Sequence, residues 1–233
     1  MEVVRYADRD DLRDIRTEVL NTFPTFMNHN AMGWKYWGRL YEEFPDFQLA
    51  LLDDGDLIAE VHSLPVHVDA ELPQGWDEAF ERGMELGDGN VLSLLAISVR
   101  PDRRGGAVSI RLIEAARQAA AAAGLASVIA PVRPTLKERY PLIPIEHYVE
   151  WRREDGSHFD PWLRVHERVG GEIVQVAPSS MLIEAPVAEW EEWTEMRFPE
   201  DGTYVVPGML APLEVRGGVG RHVEPNVWMR HNL

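Results

Sequence analysis

The sequence predicts a fold of the α/β (α+β) class, in which strands and helices alternate around a central sheet. Val91–Val99 is a nearly continuous apolar run, as is typical of a strand that is buried on both faces. Val108–Ala123 carries apolar residues at helical spacing and is followed by Gly124, which favours a helix end. Ala126–Pro131 is a further short apolar strand. Strand, helix and strand within about forty residues predict a βαβ unit with parallel strands and a right-handed crossover.

The segments before this unit predict further alternation of strand and helix. In order, they are a strand at Glu2–Ala7, helices at Leu12–Thr22 and Ala31–Phe44, and a hairpin of the strands Phe47–Leu52 and Leu57–Val68. Pro65 lies within the second hairpin strand and predicts a bulge or an edge position, because proline cannot donate to a hydrogen-bond ladder. Leu72–Asn90 is acidic and weakly patterned, which indicates an inserted helix flanked by loops.

The segments after the unit predict an insertion, a helix and a long C-terminal region. Residues 132–158 are rich in proline, aromatic and charged residues, which indicates an ordered insertion. A helix is predicted at Phe159–Val169, because Asp160 suits the N-cap and Pro161 the first helical position. The remaining predicted elements are strands at Glu172–Val176 and Ser180–Glu184, a helix at Val187–Trp193 and an extended tail at Tyr204–Leu233. We expect residues 1–185 to form one domain and residues 186–233 to be a C-terminal extension packed on it.

The composition limits the classes of function. The chain has 233 residues, which suffice for a sizeable core, and no cysteine, which excludes disulfides and cysteine nucleophiles. The formal net charge of −16 argues against nucleic acid or an anionic membrane as a partner and is compatible with a cationic amine. The first residues do not have the pattern of a signal peptide, and no apolar run is long enough for a transmembrane helix. We therefore expect a cytoplasmic protein.

One basic segment contrasts with this acidic background, at the turn between the buried strand and the next helix. Its arginines are Arg100, Arg103, Arg104 and Arg111. Gly105 and Gly106 have no side chain to prevent close approach to the backbone. The amides of a first helical turn have no intrahelical partner, and together with the helix dipole they favour an anion. The turn lacks the patterns of a nucleotide P-loop and of a dinucleotide fingerprint.

The same segment resembles the acyl-CoA-binding motif of the GNAT superfamily of N-acetyltransferases. In that family an apolar strand and a Val-x-Pro step precede Arg-Gly-x-Gly-x-Gly/Ala at the start of a helix. Val99-Arg100-Pro101 matches the step, and Arg104-Gly105-Gly106-Ala107-Val108-Ser109 with Leu112 matches the turn. Ala107 and Ser109 replace two usual glycines, but both are small. Downstream, Val165-His166-Glu167-Arg168-Val169-Gly170-Gly171 is in register with the family's Leu-Tyr-Glu-Lys-x-Gly-Phe, so the resemblance covers roughly Glu2–Glu184.

The resemblance implies a mixed, mostly antiparallel central sheet with one splayed parallel strand pair and helices on both faces. It also implies that acetyl-CoA or another acyl-CoA binds here, with its pyrophosphate on the turn and its pantetheine arm along strand Leu94–Ser98. The residues expected to bind it are Leu95, Ala96, Ile97, Ser98 and Val99 in the strand, and Arg104, Gly105, Gly106, Ala107, Val108 and Ser109 in the turn.

Three side chains are candidates for proton transfer. His166 stands where the family often has a tyrosine that protonates the departing thiolate, and an imidazole titrates near neutral pH. The base is open between Glu60 and His62, which period two places on the same side of one strand. Either could take a proton from the amine, which must be neutral to attack a thioester.

The acceptor is expected to be a small amine, read by Arg133 and Tyr148 from the insertion after the second strand of the splayed pair. No metal site is expected, because the spacing of His222 and His231 matches no ligand motif. The aromatic tail is compatible with a homodimer. Two alternatives to direct N-acyl transfer stay open at this point. One is a polyketide-type enzyme that transfers or decarboxylates an acyl group on a carrier protein, and the other is a non-catalytic acyl-CoA sensor.

Overall fold

The computed structural model describes residues 1–20, 22–105 and 107–233. Its strands are β1 (Glu2–Arg5), β2 (Gln48–Asp53), β3 (Asp56–Val66), β4 (Val91–Val99), β5 (Ser127–Val132), β6 (Gly171–Pro186), β7 (Gly202–Tyr204), β8 (Leu213–Arg216) and β9 (Val219–Asn232). They form one sheet in the order β1-β2-β3-β4-β5-β9-β8-β7, with β6 paired to β9. Only the β4–β5 pair of this described sheet is parallel. The prediction of a mixed, mostly antiparallel sheet with one parallel pair is confirmed.

Helices cover both faces of the sheet. They are α1 (Asp11–Leu20), α2 (Ala31–Tyr36), α3 (Leu40–Glu43), α4 (Trp76–Leu86), α5 (Val108–Ala122), α6 (Ile145–Tyr148), α7 (Pro161–Arg168) and α8 (Val187–Thr194). One apolar core lies on the face of α2, α4 and α8. A second lies on the face of α5, α6 and α7, and a third, smaller one lies beneath α1. Within the described ranges, none of the helices has both the length and the apolar character needed to cross a bilayer.

The parallel pair stays together only near its beginning. Leu92 lies opposite Val128 and Ser93 opposite Ile129, and no further residues of β4 and β5 are in register. The outer edges of both strands are nevertheless occupied, since β4 pairs with β3 along its length and β5 pairs with β9. Two parallel strands that continue without pairing leave backbone donors and acceptors available between them.

A bulge in β4 lies just where the two strands separate. His62 pairs with Ala96, but the next residue of β3, Ser63, pairs with Leu94. Leu95 is therefore the extra residue of β4. A β-bulge bends its strand and changes the direction of the local peptide groups. The separation of β4 from β5 thus coincides with a local change in the course of β4.

Several predicted elements differ from the structure in their boundaries. The single helix expected at 31–44 is α2 and α3 joined by a 3-10 turn over Trp37–Arg39, and the two strands expected at 172–184 are the single irregular strand β6. Pro65 pairs with β4, whereas β2 ends its pairing at His62. On the β2 side Pro65 has no paired neighbour, so an N–H missing on that side breaks no hydrogen-bond ladder.

The C-terminal region returns to the centre of the sheet. Its last strand, β9, lies between β5 and β6 and pairs with both. The sequence predicted an extended tail but not this position. The division into residues 1–185 and 186–233 stays a prediction.

Candidate functional site

A cavity of about 550 Å³ opens at the separated ends of β4 and β5. Leu95, Ala96 and Ser98 of β4 and Pro131 of β5 line its floor. The opposite wall comes from α1 and from the segment through α2, which contributes polar side chains and the rings of Trp34 and Trp37. The cavity therefore gives a small molecule access to the gap between the two strands.

The bulge at the floor of the cavity is held in place by a tryptophan. The indole N–H of Trp76 donates to the carbonyl oxygen of Leu95 over 2.7 Å. Trp76 is buried at the start of α4 and also lines the cavity. Because the peptide unit is planar and the described peptide bonds are all trans, fixing this carbonyl also fixes the amide of Ala96.

The turn before α5 leaves the beginning of that helix accessible. Gly105 has a φ of +94°, and a Cβ atom built there would meet nothing within 4 Å. Ala107 is the N-cap and provides no side-chain hydrogen bond to the first amides of α5. Gly106 was also expected to bind here, but it lies outside the described residues. The described residues therefore leave the positive end of the helix dipole open to an anion.

Ion pairs reduce the free charge of the predicted basic segment. Arg100 binds Asp102 over 2.7 Å, and Arg103 binds Asp53 over 2.8 Å. Arg104 is exposed at the turn and has no ion-pair partner among the described residues. Of the three arginines in the turn, Arg104 is thus the one available to a phosphate.

Glu60 and His62 form a buried cluster with Arg16 of α1. Arg16 donates from Nε to Glu60 over 2.9 Å, and its Nη2 also contacts this carboxylate. The Nε2 atom of His62 lies 3.1 Å from the same group, and the hydroxyl of Tyr6 donates to it over 2.6 Å. Burial would raise the pKa of Glu60, but His62 and Arg16 outweigh burial and lower it to about 2. Burial lowers the pKa of His62. Both side chains are brought together as predicted, but Glu60 is a weak base.

A second cluster of the same composition lies on the other side of the separated strands. Arg133, which was expected to read the acceptor, does line the cavity. Its Nε and Nη2 atoms contact Glu224 and the carbonyl of Gly208. His222 lies 2.7 Å from Glu224, on the same strand. Burial would raise the pKa of Glu224, but Arg133 and His222 lower it.

Sequence reasoning did not find Glu224 and His222, although a signal was present. His222 and Glu224 have the same spacing of two as Glu60 and His62. Charged residues repeated at period two in a buried strand indicate partners from elsewhere in the fold. The arginine partners come from distant segments, so this signal alone does not identify them.

His166, the candidate acid, lies away from the cavity. It is buried on α7, and its Nδ1 atom is 2.9 Å from Nε2 of His231. His231 is opposite Val128, at the paired end of β4 and β5. Burial, together with His231, lowers the pKa of His166 to about 3, so the imidazole is neutral at physiological pH. Its placement gives no support to the role of general acid.

Tyr148, the second residue expected to read the acceptor, is part of the core. Its side chain is fully buried, and its hydroxyl donates to Asp160 over 2.9 Å. Asp160 also caps α7 by accepting from the amide of Trp162. Tyr148 therefore fixes the insertion to α7 and does not line the cavity. Within residues 1–20, 22–105 and 107–233, no three His, Asp or Glu side chains are arranged to hold a metal ion.

Comparison with known proteins identifies a relative over nearly the whole chain. The arginine N-acetyltransferase avaD of Aspergillus versicolor is 30% identical over 260 residues, which cover 96% of this chain and 90% of that protein. A search with family models gives no match.

Two solved structures share the fold over their full length. The loading GNATL domain of CurA from Lyngbya majuscula has a TM-score of 0.62 at 18% identity and covers 99% of this chain and 96% of its own. The GphF GNAT-like decarboxylase in complex with isobutyryl-CoA has the same score and identity and covers 100% and 99%. At this identity the two structures show the fold alone.

Proposed function

This chain belongs to the GNAT superfamily of N-acetyltransferases, and we propose that it transfers the acetyl group of acetyl-CoA to arginine or to a compound that contains arginine. The observation that carries the proposal is the cavity that reaches the gap between β4 and β5. The nature of the acceptor is suggested by the relative that is named an arginine N-acetyltransferase.

The described residues fit an acyl-CoA. The open start of α5 suits the pyrophosphate, with Arg104, Gly105, Ala107, Val108 and Ser109 around it. The backbone of β4 from Leu95 to Val99 has an edge free of β5, which suits the amide groups of a pantetheine arm. The thioester supplies an activated acyl group, and its carbonyl would accept a hydrogen bond from an amide of the β4 bulge.

Direct transfer between two bound substrates is the mechanism that we infer. The amine nitrogen forms a bond with the acyl carbon, the carbon–sulfur bond breaks, and the thiolate leaves with the electron pair. The chain has no cysteine to form a second thioester, and the cavity leads to the gap itself. Much of the rate would come from holding the amine and the carbonyl in line.

The proton of the amine goes to water in this proposal. The ionisable residues that line the cavity in the described chain are Arg16, Glu60 and Arg133. Two of them are cations, and Glu60 has a pKa of about 2 and three partners. None of the three is therefore suited to act as the general base for an amine near neutral pH.

The test is an assay of acetyl-CoA with L-arginine, in which free thiol and the mass of the product are both measured. We expect equal amounts of CoA and of an arginine derivative that carries one acetyl group. Binding of acetyl-CoA without transfer to any amine would instead indicate a sensor. Loss of carbon dioxide from a carboxylated acyl thioester, without acylation of an amine, would indicate the decarboxylase alternative.

A further inference from the structure

We propose that the acceptor carries a carboxyl-derived oxygen group, either a carboxylate or an amide carbonyl, and that Arg16 and Arg133 bind this group from opposite walls of the cavity. The inference rests on the proposed function and specifies the chemistry that the same site recognises. It is carried by the two clusters of glutamate, histidine and arginine, which we call the β3 triad (Arg16, Glu60, His62) and the β9 triad (Arg133, His222, Glu224).

The two triads lie on the strands that flank the separated pair. The sheet order is β3-β4-β5-β9, so each triad stands on the strand next to one member of the separated pair. In each, the histidine and the glutamate are two residues apart, and their side chains touch. In each triad, the arginine lies outside the strand that carries the other two residues, and it lines the cavity. The cavity therefore has one guanidinium on either side of the gap.

Each arginine is held by a buried glutamate and remains partly exposed itself. The side chains of Glu60 and Glu224 are both 1% exposed, whereas those of Arg16 and Arg133 are 19% and 17% exposed. The carboxylates engage Nε of both arginines, and Nη2 also has partners in both. Among the described residues, Nη1 of Arg16 and Nη1 of Arg133 have no hydrogen-bond partner.

Burying such ion pairs is costly, which argues that they do more than stabilise the fold. A buried ion pair is often no more stable than apolar residues of the same volume. The pair does, however, hold the guanidinium in one orientation, because the glutamate accepts from its Nε. Preorganised donors of this kind bind an oxygen acceptor with little loss of side-chain entropy.

The charge of the cavity wall selects for oxygen and against an additional cation. The acidic side chain among the described lining residues is Glu60, and its oxygens already accept from Arg16 and Tyr6. The guanidinium of an arginine substrate would therefore find no free carboxylate. It would instead lie on an aromatic face, for which Trp34 and Trp37 line the same cavity.

Three acceptors that differ at one group test the inference. L-arginine has a carboxylate, L-argininamide has an amide carbonyl, and agmatine keeps the amine and the guanidinium but has neither. We express kcat/KM per concentration of neutral amine, because the alkylamine of agmatine is more basic than an α-amine. On this basis we expect the value for agmatine to be at least about tenfold below the better of the other two, since charge-assisted hydrogen bonds are lost. A higher value for L-arginine than for L-argininamide would identify the carboxylate as the group that is bound, and equal values the carbonyl oxygen.

Matched variants then locate the interaction. Arg16→Lys and Arg133→Lys keep a cation beside the buried glutamate but lack the second arm of the guanidinium. We expect each to lower kcat/KM for the preferred acceptor about tenfold and for agmatine less than twofold. Arg139→Lys is the control, because Arg139 is an exposed residue of the insertion outside the cavity. Melting temperatures and acetyl-CoA affinities of all variants show whether folding and the other substrate are intact.

The results that overturn the inference differ from those that overturn the proposed function. Agmatine acetylated as well as L-arginine, or arginine variants that weaken all three acceptors equally, would refute the binding of an oxygen group and leave the acetyltransferase standing. Failure of all three acceptors, with acetyl-CoA bound, would refute both proposals together.

Discussion

The two ends of the parallel strand pair differ in almost every physical property. At the beginning of the strands, β4 and β5 are paired, and His166 and His231 lie nearby as a buried, neutral pair. At the other end the strands separate, β4 is bulged, and two ion-paired arginines face a cavity. The candidate site thus lies where β4 and β5 no longer pair with each other, and their unpaired backbone groups there are available to a ligand.

The largest effect is expected from a negative charge introduced at the proposed pyrophosphate site, at the start of α5. Ser109→Glu places a carboxylate in the first turn of α5, where the helix dipole favours it but a pyrophosphate would be repelled. We expect acetyl-CoA affinity to fall at least about 100-fold without a loss of melting temperature. Titration calorimetry measures the affinity.

The control for this change is Gln118→Glu, which adds the same charge on an exposed part of the same helix. It should leave the affinity within about twofold, since exposed charges are screened by salt and solvent. Equal weakening by both variants would point to net charge and would remove the start of α5 from the proposed binding site.

An intermediate effect is expected from removing the hydrogen bond that fixes the bulge of β4 at Leu95. Trp76→Phe keeps an aromatic ring but removes the donor to the carbonyl of Leu95. We expect kcat to fall about tenfold, because an amide that is less well fixed stabilises the transition state less. Steady-state kinetics with saturating acetyl-CoA measure it.

Trp190→Phe is the matched comparison for Trp76→Phe. The indole of Trp190 donates to the carbonyl of Gly220 over 2.9 Å in the core and does not line the cavity. If both variants lose the same stability but only Trp76→Phe loses activity, the bulge has a catalytic role. Equal losses of activity would mean that the effect is general destabilisation.

The smallest effect on turnover is expected at the paired end. His166→Phe removes the contact with His231, so the free energy of unfolding should fall by about 1–3 kcal/mol while turnover changes less than about twofold. Urea denaturation and steady-state kinetics measure the two quantities. If turnover instead fell about 100-fold at normal stability, His166 would be restored as the acid.

The paired end should also give the fold a dependence on pH. Burial lowers the pKa of His166 to about 3 and that of His231 to about 4, so protonation favours the unfolded chain. Stability is therefore present above the ordinary histidine pKa of about 6.5 and is lost as the pH falls below it. His166→Phe removes one of the two groups, so its stability should fall less on acidification than that of the original protein.

The contrast between the two ends also explains which site predictions the sequence supported. Val91–Val99 and Val108–Ala123 are contiguous segments, so their local pattern predicted the strand and the helix correctly. Arg133, which was expected to read the acceptor, lines the cavity because it directly follows a strand of the pair. His166 and Tyr148 were selected for their chemistry and their position in the chain. The direction in which a helix turns its side chains depends on packing, which their local sequence does not contain.

By itself, the sequence determined the order of strands and helices as far as α7 and the parallel pair, since these follow from hydrophobic period, glycine and helix ends within short segments. Only the tertiary structure decided that β9 lies beside β5, that Arg16 meets Glu60 and that Arg133 meets Glu224. These partners are 44 and 91 residues apart. Contacts over such distances result from the way the whole core packs, and no local pattern records them.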